Sequence, residues 1–517
     1  MLWGQTLFIV TWIMNLACVL ADSVEKHGEK TALFWGERSF SYAEIWSHSL
    51  FVAAVLRQQF GVKPGDRVGL WLKNCPEFIP ALIAVLQVGA VVVPINNFLK
   101  PEEVKFILGD ADIDVVVTDT ELSAHFQSLK AGRSALKLLN AENVLASFPV
   151  PPDPLNLETD LPKRSERQTS DLAVLIYTSG TTGRPKGAML SHGNLLHNLE
   201  SCRIVLQTVE QDRFAVLLPM FHSYMLTVGL LLPLVVGGSI VLVKSLHSVR
   251  NVIQEILARS ATVLPAIPQF YRSLVNIEIP APLPLRLCIS GSAPLPVQVL
   301  KDFERKFGIP LIEGYGLSEA SPVVAKNPLD GTRKPGSIGL PIPNVEMSVQ
   351  DDAGRKLGPK ETGEICVRGG NVMLGYWNQP DETARAFRNG WLLTGDIGFR
   401  DEEGYYYITD RKKDMLLVNG NNVYPREIEE VLYQFPNVKE AAVIGRPDPR
   451  RGEHPIAFVV PNEGAAIDAD ALLKFARTRL ADYKVPRRVI LASALPRNAA
   501  GKVLKTALRL QMPPEAP

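Results

Sequence analysis

Short apolar runs at Arg67–Trp71, Val91–Pro94, Val115–Thr118 and residues 172–177 alternate with helical patterns such as residues 76–88. No other property of the chain restricts its fold as much. Strands separated by helical stretches bury both sheet faces under helices, which predicts α/β layers. The last run leads into Tyr177-Thr178-Ser179-Gly180-Thr181-Thr182-Gly183-Arg184-Pro185-Lys186-Gly187. Glycine lets the backbone turn its N–H groups onto one anion, hydroxyls add donors, and lysine adds positive charge. The pattern predicts a phosphate-holding loop. It is not the Walker arrangement, because Arg184-Pro185 separates Gly183 from Lys186 and no Ser or Thr follows the lysine. Ala188-Met189-Leu190 predicts a returning strand, and the helix expected from Ser191 carries Leu195, Leu196, Leu199 and Cys202 on one face.

At 517 residues the chain exceeds one compact core, so two or more domains are expected. A net charge of +1 gives no electrostatic footprint for nucleic acid and leaves at most peripheral membrane contact. Cys18, Cys75, Cys202, Cys288 and Cys366 are scattered, with no CxxC pair and no metal-ligand clustering with histidine. That usage favours a reducing, cytoplasmic compartment. Residues 1–21 carry no charged side chain but lack a basic leader and a convincing cleavage site. Residues 15–27 read as the first core helix, and Met14 is an alternative start that would leave residues 1–13 untranslated. The apolar stretch 225–243 is interrupted by Pro233 and Gly237-Gly238, which predicts a buried helix and then a buried strand.

Residues 148–170, with several prolines and charges, read as a surface connection. The charge run Asp410-Arg411-Lys412-Lys413-Asp414 follows a strand at Tyr405-Tyr406-Tyr407-Ile408. Taken alone it reads as a solvated turn. Beyond it lie about a hundred residues with their own alternation, enough for a small domain. A helix is expected from Pro425, strands near residues 438–444 and 456–460, and a helix over 468–480.

Further motifs follow the loop along the chain. They are Phe221-His222-Ser223; Gly291-Ser292-Ala293-Pro294; Glu313-Gly314-Tyr315-Gly316-Leu317-Ser318-Glu319; Gly363-Glu364-Ile365; Gly375-Tyr376-Trp377; Thr394-Gly395-Asp396; Asp410-Arg411; and Pro496-Arg497-Asn498-Ala499-Ala500-Gly501-Lys502. In this order, over roughly residues 15–505, the set resembles the adenylate-forming superfamily of acyl-CoA synthetases, adenylation domains and luciferases. The resemblance implies a large N-terminal multi-sheet α/β domain, residues 1–410, and a small mobile α+β C-terminal domain, residues 411–517. It also implies the reaction: a carboxylate attacks the α-phosphorus of ATP, pyrophosphate leaves, and a thiol captures the acyl-adenylate.

By the same resemblance, Thr178, Ser179, Gly180, Thr181 and Thr182 cradle the departing phosphates, and Lys186 adds charge. Glu319 matches the Mg²⁺-binding acid and Thr178 its hydroxyl partner, while Ser318 stands where the family has threonine. Gly291, Ser292, Ala293 and Tyr315, with Glu313, Gly314 and Gly316, resemble the adenine slot. Asp396 and Arg411 match ribose contacts. His222 takes the position lining the carboxylate pocket. Lys502 matches the catalytic lysine that bridges carboxylate and α-phosphate, an electrostatic task. Lys413 falls at the hinge of the small domain, and Gly420 at the pantetheine channel with Asn421 and Asn422.

His222 stands where amino-acid-activating domains carry aspartate, which disfavours an amino-acid substrate. Met225-Leu226, Leu230-Leu231-Leu232 and residues 266–270 are mostly apolar and suit an alkyl or aryl acid. The expectation is a medium- or long-chain fatty acid with CoA as co-substrate. The alternatives are an aryl acid, an acyl carrier protein as acceptor, and a catalytically inactive nucleotide-binding protein.

Overall fold

The computed structural model describes residues 15–146, 167–178, 185–246, 248–412, 414–419, 421–448, 452–497 and 502–512. The expected sites at Ser179, Gly180, Thr181, Thr182, Lys413 and Gly420 lie outside the described residues, as does most of the 148–170 connection.

The valine-rich runs Arg67–Trp71, Val91–Pro94 and Val115–Thr118 pair in parallel, as near-continuous apolar strands buried on both faces do. They sit in a seven-stranded sheet ordered Gly375–Tyr376, Lys186–Ser191, Leu172–Thr178, Val91–Pro94, Arg67–Trp71, Val115–Thr118, Lys137–Asn140. Leu172–Thr178 and Lys186–Ser191 form an antiparallel hairpin in which Thr178 stands opposite Lys186. The residues read as a phosphate cradle are therefore those that join the two strands of that hairpin.

A nine-stranded sheet is parallel from Leu311–Gly316 through Leu287–Ser290, Val263–Ala266, Arg213–Val216 and Ser239–Leu242 to Thr31–Trp35. Alternate side chains divide between layers. Val92 of one sheet and Val263 of the other share a core with Leu16, Ile45, Ile79 and Leu195 from four helices, so helices fill the space between the sheets. Val91 and Val93 face a second core, and Leu264 and Ala266 a third. Each fully buried Val, Leu or Ile side chain stabilises by roughly 1.5–3 kcal/mol relative to exposure. The helix Phe78–Gln87 is buried all round, as its uninterrupted apolar sequence requires.

The first helix is Leu16–His27, capped by the Asn15 side chain accepting from the Cys18 amide. The 225–243 stretch forms a π-helical turn Met225–Leu231, a helix Leu232–Val236 and a strand Ser239–Leu242, joined through Gly237 at φ +79°. Among the described residues no helix is long and apolar enough to cross a membrane. All five cysteines are buried free thiols.

A third, antiparallel sheet holds Val345–Gln350, Gly363–Gly369, Trp391–Arg400 and Tyr406–Arg411. The smaller C-terminal domain follows. Its sheet contains Leu416–Val418, Asn421–Val423, Gly452–Pro461, Val438–Asp448 and Arg488–Leu491, with helices Pro425–Tyr433 and Ala469–Arg477 packed on one face. The charge run between the domains is more than a solvated turn. Asp410 is buried and accepts from the amides of Arg411 at 2.7 Å and Arg426 at 2.9 Å.

Candidate active site

Ligands in open parallel sheets bind outside the carboxyl ends of the strands, where the chain can leave the sheet with its backbone groups exposed. Here Leu172–Thr178, Leu287–Ser290 and Leu311–Gly316 each end in one of the sequence motifs. Ser292 takes φ +66°, a left-handed conformation that turns the chain directly after Gly291. A side chain at Gly316 would place Cβ 2.3 Å from the Pro322 carbonyl, so only glycine permits that crossing.

Asp396 is buried and lies directly opposite Arg411 in the sheet register. Its carboxylate accepts from the Tyr315 hydroxyl at 2.5 Å and meets Arg411 Nε at 3.1 Å. Burial, and then the Asp396 charge, push the Tyr315 phenol well above its ordinary range, so it remains a donor. Three residues from three motifs thus form one cluster in which a carboxylate is fixed between a phenol and a guanidinium.

A second cluster assembles at the hairpin. Thr178 Oγ1 donates to the Lys186 carbonyl at 3.4 Å. The Lys186 ammonium pairs with the carboxylate of Glu382 and lies 5.2 Å from the centre of the Tyr376 ring. Tyr376 in turn donates to Glu319 Oε1 at 3.0 Å. Ser318, beside Glu319, shares a 2.9 Å hydroxyl–hydroxyl bond with Ser223. That contact ties the Ser318-Glu319 segment to the Phe221-His222-Ser223 motif.

His222 Nδ1 accepts from the Tyr224 amide at 3.3 Å, which puts the proton of the neutral ring on Nε2. Burial lowers its pKa to about 4, so the imidazole is a neutral donor and not a cation. Tyr224 donates to the Ile289 carbonyl at 3.0 Å, and its ring would lie 3.1 Å from any Cβ at Gly291. The motif carrying His222 and that carrying Gly291 are therefore packed directly on each other.

Glu313 is engaged elsewhere than its motif alone implies. Its carboxylate is buried, accepts from the Leu295 amide at 3.0 Å and faces Arg426 of the C-terminal domain at 3.7 Å. Burial pushes its pKa up to about 7. Arg426 also donates to the Ile408 carbonyl at 3.1 Å, so one side chain spans the strands Tyr406–Arg411 and Leu311–Gly316. Gln269 donates to Glu440 at 3.4 Å, and the Arg272 guanidinium lies 5.0 Å from the Tyr433 ring centre, both across the same boundary. Lys502 is half-buried on the small domain, next to Val503, which bridges to Arg497.

Sequence reasoning missed Glu382, Asp110 and Arg426, and named Tyr376 only as a motif letter. Glu382 opens the short helix Pro380–Ala386, and an acid beside threonine in such a helix carries no signal of its own. Among the described residues no group of three or more His, Cys, Asp or Glu side chains could hold a metal ion. One glutamate with a hydroxyl suits a Mg²⁺ that keeps its waters and takes its other ligands from phosphates.

A profile of the AMP-binding enzyme family matches residues 20–377, and one of the AMP-binding enzyme C-terminal domain matches residues 427–502. A long-chain-fatty-acid–CoA ligase of Bacillus subtilis is 37% identical, over 96% of this chain and 94% of that protein. A feruloyl-CoA synthase of an Amycolatopsis species is 36% identical, over 93% and 95% respectively. The crystal structure of ATP-bound MatB from Rhodopseudomonas palustris superimposes with a TM-score of 0.88 at 33% identity, covering 96% of this chain and 99% of that one. The chain belongs to the AMP-binding enzymes, the adenylate-forming superfamily that includes the fatty-acyl-CoA synthetases.

Proposed function

We propose that this protein is an AMP-forming ligase that activates a medium- or long-chain fatty acid with ATP and transfers the acyl group to coenzyme A. One observation carries the reading: Tyr376 brings Lys186 of the phosphate loop and Glu319 of the base-slot motif onto a single side chain. The likeness to the Bacillus subtilis ligase over nearly all of both chains supports the choice of acid.

In the first step a carboxylate oxygen bonds to the α-phosphorus and the bond to the pyrophosphate oxygen breaks. Asp396 and Arg411 hold the ribose end, and Tyr315 with the Gly291-Ser292-Ala293 backbone holds the base. The hairpin loop and Lys186 hold the departing pyrophosphate. Glu319 and Thr178 would hold a Mg²⁺ ion, which would supply charge withdrawal from the phosphates. His222 offers its Nε2–H to the acid in a largely dry pocket, and Lys502 offers positive charge where carboxylate and α-phosphate meet. In the second step the thiol of coenzyme A attacks the acyl carbonyl and AMP leaves. Residues 411–517 act as the lid, turning at Lys413 between the steps, and Gly420 then borders the thiol channel. The compartment is the cytoplasm.

The experiment is product identification. With ATP, Mg²⁺, coenzyme A and a panel of acids, mass spectrometry is expected to find acyl-CoA and AMP in equal amounts, strongest for alkyl acids of medium or long chain. Preference for a cinnamate-type acid would favour the aryl reading, which the likeness to feruloyl-CoA synthase supports. Product only when a carrier protein replaces coenzyme A would reassign the acceptor.

A further inference from the structure

Residues 373–377 are bonded to two motifs at once. The Met373 amide donates to the Glu319 carbonyl at 2.9 Å, and the Trp377 amide donates to the Gly187 carbonyl at 2.8 Å. Between them Tyr376 spans the gap with its side chain, hydroxyl on Glu319 Oε1 and ring face toward the Lys186 ammonium. Its own backbone is fixed in turn, because the Tyr376 amide donates to Thr383 Oγ1 at 2.8 Å. Thr383 neighbours Glu382, the counter-ion of Lys186. The helix Pro380–Ala386 therefore holds both the tyrosine and the partner of the lysine.

We propose that Tyr376 is a positioning residue for the adenylation step, setting the separation between the metal-holding carboxylate of Glu319 and the phosphate-facing ammonium of Lys186. The proposal rests on the functional reading above for what those two groups face. Conformational freedom is what the tyrosine restricts. A glutamate and a lysine have long side chains that lose much rotamer entropy on being ordered. A hydrogen bond to one carboxylate oxygen leaves the other free for a cation and removes most of that freedom beforehand. A lysine above an aromatic face is attracted yet retains N–H donors for an anion. Glu382 completes the arrangement by neutralising the ammonium until phosphates arrive.

The two halves of the side chain separate experimentally. Tyr376→Phe keeps the ring and removes the hydroxyl, whereas Tyr376→Leu removes both. Equilibrium binding of ATP by calorimetry at a series of Mg²⁺ concentrations reads the site without turnover. Tyr376→Phe is expected to raise the Mg²⁺ concentration for half-maximal ATP binding about five- to tenfold, with ATP binding in EDTA and the thermal midpoint unchanged. Tyr376→Leu is expected also to weaken ATP binding in EDTA, through Lys186. In turnover, Tyr376→Phe should raise KM for ATP·Mg²⁺ while leaving KM for the acid alone. Unaltered Mg²⁺ dependence in Tyr376→Phe would overturn the proposal, as would wild-type ATP binding that ignores Mg²⁺. A wild-type protein that binds ATP·Mg²⁺ but makes no product with any acid would overturn the functional reading instead, and the binding comparison would still decide the role of Tyr376.

Discussion

The Tyr177 hydroxyl donates to the carboxylate of Asp110, 67 positions earlier in the chain, and the Trp377 indole donates to the backbone carbonyl of the same residue at 3.0 Å. Tyr177 immediately precedes the phosphate-loop hydroxyls, and Trp377 bonds Gly187 just after them. Asp110 thus anchors both sides of the hairpin that carries the loop. Asp110→Ala should leave the half-buried Tyr177 phenol without its acceptor and raise KM for ATP about tenfold. Steady-state kinetics with ATP and acid varied separately would check this. An equal rise in KM for the acid would show general damage instead.

Asp396 presents a single carboxylate to Tyr315 and Arg411. Replacing it by alanine removes the proposed ribose acceptor and leaves the Tyr315 hydroxyl and the Arg411 guanidinium without that partner. The expected outcome is a ~10–100-fold loss of ATP affinity with little change in affinity for preformed acyl-CoA. Calorimetric titration with each ligand measures the two independently.

Two histidines, His192 buried and His222 half-buried, set an acid limit on stability. Burial lowers His192 and His222 to about 4, below the ordinary 6.5. Between those values the unfolded chain binds more protons than the folded one, so stability falls as pH drops through that window. His192 Nδ1 also accepts from the Leu16 amide at 3.2 Å, so protonation there works against the docking of the first helix. Thermal midpoints recorded from pH 7 to pH 4 should decline progressively, and less so in His192→Gln. A flat profile would contradict the assignment.

Glu313 behaves in the opposite sense. With its folded-state pKa raised to about 7 from 4.5, the folded chain binds the extra proton. Its contribution to stability is present at low pH and is lost as pH rises through 4.5 to 7. Arg426 offsets the charge above that range. Arg426→Met should therefore destabilise more at pH 8.5 than at pH 6, by up to about 3 kcal/mol at the higher value. Denaturant titrations at both pH values test the difference, and equal losses would place the effect of Arg426 in packing alone.

Much of the architecture was legible because its causes are local. Valine-rich runs read as strands and were strands, with Leu172–Thr178 one residue longer than expected. The helix from Pro425 and the strands around residues 438–444 and 456–460 formed where alternation placed them. The anchors of the site were not legible, because they are pairings across long separations. Lys186 and Glu382 lie 196 positions apart, and Trp377 and Asp110 lie 267 apart. Nothing in Asp110 or Glu382 distinguishes either from a surface acid until strand order places them at the hairpin. The charge run misled for a related reason. Its arginine and lysines suggested solvent, while Asp410 is buried by the helix that begins at Pro425.

On the proposed mechanism this one site joins a carboxylic acid to the α-phosphate of ATP before any thiol is needed. Exchange of labelled pyrophosphate into ATP, measured without coenzyme A, tests it most directly. Exchange is expected to depend on a medium- or long-chain fatty acid and on Mg²⁺, and to be lost in Lys502→Ala. Absence of exchange with every acid, or exchange that persists undiminished in Lys502→Ala, would contradict it.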